Sequence, residues 1–147
     1  MTPTLPELLA GQAAALAAPQ PPEAGGDYLA GRIGMIMTLA ALMAQEAERG
    51  TAARTWENAA IRAVFAQADD VYDRSCGGAL SAASTGVDRD LTWSALDHAN
   101  AALRRGLITL HEMAEARGDG ALDAVILALY RDMAHHRRLE FPSGQAV

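Results

Sequence analysis

From Leu29 to Ala47, apolar or small side chains recur at Leu29, Ile33, Ile36, Ala40, Met43 and Ala47, in alternating steps of four and three. An α-helix turns once every 3.6 residues, so this spacing puts all six on one seam, the pattern of a helix packed in a bundle. A strand needs alternation at every second residue, and no stretch of the chain alternates for long enough. Met35, Leu39 and Leu42 widen the apolar face and mark this helix as central. Hydrophobic residues make up 50% of the chain and aromatic residues only 5%, with alanine supplying much of the apolar count. Alanine favours helix more than any other residue and adds little core volume. The expected fold class is all-α.

The 147 residues suit one domain. Leu5–Ala18 predicts a short helix, with Pro6 tolerated in its first turn. The run Pro19-Gln-Pro-Pro-Glu-Ala-Gly-Gly26 reads as a linker, so residues 1–26 form an N-terminal arm. A first bundle helix is expected from an Asp27 N-cap to Arg49, stopped by Gly50. A second runs from Thr51 to about Arg74 on the stripe Trp56, Ala60, Ile61, Val64, Phe65, Ala68 and Tyr72, and ends at Cys76-Gly-Gly78. Residues 77–87 form the longest loop, with room for a helical turn around Leu80. A third helix spans Asp88 or Asp90 to Arg117, with Gly106 marking a close crossing or a kink. The fourth spans Asp119 to about Glu140. Turns at Gly50 and Gly118–Gly120 make residues 27–141 an antiparallel four-helix bundle with an extra short N-terminal helix; residues 142–147 are a loose tail.

Charge excludes some partners. The net charge is −6, and all 12 basic side chains are arginine, as GC-rich codon usage favours. An acidic chain has no general affinity for nucleic acid, which demands phosphate neutralisation. Cys76 is alone and can form no internal disulfide. No export signal opens the chain, whose first basic residue is Arg32. Tyr28–Ala44 is apolar but only about 17 residues long and carries Arg32, so a buried helix accounts for it better than a membrane span. The expected location is the cytoplasm.

Three constellations suggest chemistry. Asp69-Asp-Val-Tyr-Asp73 has the Asp-Asp-x-x-Asp spacing with which isoprenoid synthases hold Mg²⁺, but those enzymes need a larger helical cup and a second metal motif. Against it stands a solvated acidic patch near a helix end. Asp132-Met-Ala-His135 places two ligands on one helical face, and His111-Glu-Met-Ala-Glu115 offers His111, Glu112 and Glu115 in the reverse order. A di-iron bundle needs two Glu-x-x-His helices and two further glutamates. Glu112-x-x-Glu115 also suits an all-α nucleotide pyrophosphohydrolase, but the Glu-x-x-Asp partner is missing. The metal candidates are thus Asp69, Asp70, Asp73, Glu112, Glu115, Asp132 and His135. Arg131, Arg137 and Arg138 form the one basic cluster, either complementing a helix C-terminus or binding an anion. Nucleophile-elbow, Walker, dinucleotide and His-Glu-x-x-His patterns are absent, and no catalytic residue is assigned.

Pro3-Thr-Leu-Pro-Glu-Leu-Leu9, Tyr28 and Arg32 in an apolar helix, and Ala44-Gln-Glu-Ala-Glu-Arg-Gly50 resemble an uncharacterised family of small bacterial helical domains. Its members are often encoded near acyl-CoA dehydrogenases and phosphotransferase-like proteins. The resemblance covers the first third of the chain, implies an accessory role near acyl-CoA metabolism, and transfers no functional residue or cofactor. The leading expectation is a non-enzymatic helical module acting on a protein partner or on a second copy of itself. The alternative is a small metal-, anion- or acyl-CoA-binding bundle, with enzymatic use of its carboxylates and histidines.

Overall fold

The structure is a computed structural model and describes residues 5–17, 26–68 and 70–141. The arm's linker, Asp69 and the C-terminal tail from residue 142 lie outside the described residues. Six helices follow in order: α1 (Leu5–Ala17), α2 (Asp27–Gln67), α3 (Asp70–Ser75), α4 (Ala79–Ser84), α5 (Trp93–Arg117) and α6 (Gly120–His136). The described residues contain no strand, and none of their helices is long and apolar enough to cross a membrane.

The expected stop at Gly50 does not occur: residues 27–67 form one helix of 41 residues. A glycine inside a helix costs only about 1 kcal/mol. The flanking Glu46-Ala-Glu-Arg49 and Ala52-Ala-Arg54 are strong helix formers, and Gly50 lacks the positive φ that marks a glycine stop. The antiparallel hairpin expected there is therefore absent. At the other end α2 stops at Gln67, earlier than the expected Arg74, and α3 follows as a separate short helix. Gly26, rather than Asp27, takes the N-cap role: its carbonyl accepts from Leu29 N at 3.0 Å and Ala30 N at 3.3 Å.

Gly77 and Gly78 adopt φ of 64° and 82°, a left-handed turn that separates α3 from α4 and centres α4 on buried Leu80. α5 begins at Trp93, later than Asp88 or Asp90, because those acids face elsewhere. Asp90 accepts from Thr92 N at 2.9 Å, and Asp88 pairs with Arg62. Gly118 ends α5 with φ 67°, Asp119 N donates back to Ala114 O, and Asp119 caps α6 by accepting from Leu122 N at 3.1 Å. α6 ends at His136, four residues short of the expected Glu140.

The chain divides into two compact units. One comprises Met1–Gly50 with Leu139–Val147. Within it, Gln45 clamps the backbone of Glu140 from both sides: its Nε2 donates to the carbonyl at 2.7 Å and its Oε1 accepts from the N–H at 2.9 Å. The other unit, Thr51–Arg138, holds the core. There Ile61, Val64 and Phe65 from α2 meet Leu103, Leu107 and Leu110 from α5 and Ile126, Leu129 and Met133 from α6, with Tyr72 and Leu80 closing the cluster. Gly106 is the close approach its position implied: a Cβ there would lie 3.0 Å from Phe65 Cζ.

Candidate functional site

The Gly118–Asp119 turn folds α6 back along α5, which brings residues on either side of the turn together. His111 and Glu115 stand one turn apart on α5, and Asp123 lies in the first turn of α6. His111 Nε2 is 2.8 Å from Asp123 Oδ1 and 3.8 Å from Glu115 Oε1. The three ligand atoms all lie within 4.8 Å of one another, the one such group among the described residues. His111 and Asp123 are half-buried and Glu115 is exposed. The Tyr130 ring meets the His111 ring edge-on at 5.6 Å between centroids. Burial pushes the Tyr130 hydroxyl above its ordinary pKa, and the Glu115 charge adds to the rise against the opposing effect of Arg104.

A buried polar chain lies towards the other end of the α5–α6 hairpin, where α5 begins and α6 ends. Glu57 and Asn58 from α2 and Asn100 from α5 are all buried. Arg137 Nε donates to Glu57 Oε2 at 2.6 Å, and its Nη2 donates to Asn100 Oδ1 at 3.1 Å. Asn100 Nδ2 donates to Asn58 Oδ1 at 2.9 Å, and Asn58 Nδ2 donates to Asp88 Oδ2 at 3.2 Å. Arg62 closes the chain with two bonds to Asp88, at 2.7 and 3.0 Å. The Asp88 carboxyl sits below its ordinary pKa, chiefly because Arg62 donates to it and secondarily through Asn58, against the opposing effect of burial. Trp56 stacks on His136 at 3.8 Å beside Arg137, and Arg54 pairs with Asp97 at 2.6 Å while lying over the Trp93 ring. Each member of this chain is bonded to another protein side chain, while two of its buried atoms, Glu57 Oε1 and Arg62 Nε, have no hydrogen bond.

The candidates named from sequence scatter. Asp69 lies outside the described residues. Asp73 accepts from Ser81 N at 2.9 Å and so braces α4, while Asp70 is exposed. Glu112, Asp132 and His135 are exposed and join no metal-type group. Glu115 alone of the seven enters the cluster, with His111 as its helical neighbour. The arginines separate too. Arg137 turns to Glu57 and Asn100, and Arg131 borders a shallow apolar groove with Ala124, Leu127, Tyr130 and Ala134. Arg138 is exposed and its backbone N–H bonds His135 O.

Sequence reasoning missed Asp123, Tyr130 and the Glu57–Asn100–Arg137 chain. One signal was present: Leu96, Asn100, Leu103, Leu107 and Leu110 follow steps of four and three, so Asn100 occupies a core position of its helix. An apolar cavity of about 430 Å³ lies between Phe65, Leu80, Leu103 and Gly106, with Cys76 on its wall. No family model, curated protein or solved structure matches the chain.

Proposed function

We propose that the chain is a non-enzymatic helical interaction module that pairs with a second copy of itself through the N-terminal half of α2. One observation carries the reading. Met35, Ile36, Leu39 and Met43 are 67%, 42%, 53% and 57% exposed, whereas Ala40, at the edge of the same apolar face, is 4% exposed. A surface helix keeps one face polar, and a helix that is apolar all round is normally covered. Ile36, Leu39 and Met43 keep the three–four spacing of a coiled-coil seam, which is self-complementary when two identical helices meet. No charged residue falls between Arg32 and Glu46, so the stripe carries no charge pattern that would select an unlike partner. Cys76, with no second cysteine to pair with, fits a cytoplasmic setting.

Sedimentation analysis tests the proposal. An interface worth about 6 kcal/mol is populated at roughly 100 µM protein. The wild-type chain is expected to run as a dimer there, and Leu39→Glu as a monomer with unchanged helicity. A wild-type chain that stays monomeric at that concentration refutes the reading.

A further inference from the structure

His111, Glu115 and Asp123 bring one imidazole and two carboxylates together across the α5–α6 turn, beyond the single hydrogen bond between His111 and Asp123. One nitrogen, His111 Nε2, faces two carboxylates at once, Asp123 Oδ1 at 2.8 Å and Glu115 Oε1 at 3.8 Å. A neutral imidazole nitrogen carries at most one proton and satisfies one of them. Two carboxylates beside one imidazole also repel each other, and a cation between the three atoms answers both problems. We propose that this trio is a binding site for a divalent transition-metal ion, with zinc the best-fitting occupant.

The dimensions suit that ion. A tetrahedral zinc with bonds of about 2.1 Å spaces its ligand atoms about 3.4 Å apart. The two separations above bracket that value, and all three atoms lie within 4.8 Å. Modest side-chain shifts close the set, and Glu115, being exposed, can supply the largest. The donor set of one imidazole and two carboxylates favours zinc or its transition-metal neighbours over calcium and magnesium, which prefer all-oxygen shells. Three protein ligands leave the fourth position to water on the solvent side. The backbone is already placed: Gly118 in its left-handed turn and the Asp119 cap hold α5 and α6 at the separation the site uses. The Tyr130 ring edge limits rotation of the imidazole. The site is independent of the α2 stripe and stands whether or not the chain dimerises.

The test uses the full-length, tag-free protein with Co²⁺ as a spectroscopic probe and Zn²⁺ in calorimetry and competition. The expected result is one equivalent of metal per chain, a tetrahedral visible Co²⁺ spectrum, and displacement by Zn²⁺. His111→Gln and Asp123→Asn are each expected to weaken binding by at least about tenfold. His135→Gln, which alters an exposed histidine near the end of α6, is expected to leave binding unchanged. If either ligand variant fails to fold, Glu115→Gln on the exposed position decides, and it too must weaken binding. No binding at about 1 mM metal, binding that survives His111→Gln, or binding that disappears with His135→Gln each overturns the assignment.

Discussion

Arg137→Ala is the sharpest test of the buried chain. In the native structure Glu57 is 1% exposed, and Arg137 supplies its one close bond, at 2.6 Å. The remaining cation, Arg104, stands 3.5 Å from the other carboxylate oxygen, which has no hydrogen bond. The substitution thus strands a buried carboxylate and frees Asn100 Oδ1 as well. Removing one partner of a buried ion pair costs about 3–5 kcal/mol. Because the Arg137 side chain keeps 35% of its exposure, water can partly replace it. We therefore take the lower end, about 3 kcal/mol, against a total of roughly 5–15 kcal/mol for a domain. Urea unfolding followed by far-UV circular dichroism reads the loss, and the fluorescence of Trp56, stacked on His136 next in sequence, reports the site locally. Adding Glu57→Leu removes the stranded charge, and the double variant is expected to recover at least half of the loss, Asn100 Oδ1 still lacking its donor. A single-variant loss below about 1 kcal/mol, or no recovery in the double variant, refutes the reasoning.

Other positions give further checks. Asp88 has its pKa lowered in the folded chain, so its stabilisation is present above the unfolded value of about 3.9 and is lost as pH falls through the lower folded value. Unfolding free energy should fall between about pH 5 and 3, and Asp88→Asn should flatten part of that fall while costing about 2 kcal/mol at pH 7 by depriving Arg62 of its counter-charge and one acceptor oxygen; acid titrations of both proteins measure this. Gly106→Ala gains about 1 kcal/mol of helix propensity but presses a methyl group on Phe65, which costs about 1–3 kcal/mol, so the unfolding free energy from urea titration should fall by a net ~1 kcal/mol.

Helices α5 and α6 were legible in the sequence because two independent signals coincide there. Leu103, Leu107 and Leu110 keep helical spacing, and Gly118-Asp119 combines a left-handed stop with an N-cap. Gly50 had only one signal. A glycine stops a helix by adopting positive φ, which the chain does at Gly118 and not at Gly50. The break after Gln67 carried no glycine or proline at all. The site was half legible. His111 and Glu115 declare themselves four residues apart on one helix, but Asp123 depends on the hairpin register. Reflected about the Gly118–Asp119 turn, residue 123 falls opposite residue 114, within a turn of both His111 and Glu115. The remaining carboxylates failed as candidates because spacing along one helix says nothing of what the next helix brings near.

The unbroken α2 also changes what its first half must do to exist. A free-standing helix has to fix its first turn at the expense of several backbone angles before any bond repays it, and short helices often fail at that step. Residues 27–50 need no first turn of their own. Their backbone continues from Thr51–Gln67, whose Ile61, Val64 and Phe65 are anchored in the core, so each residue towards Asp27 adds one bond for one residue ordered. An apolar stripe too weak to nucleate a helix by itself is thereby carried on a helix begun elsewhere in the chain.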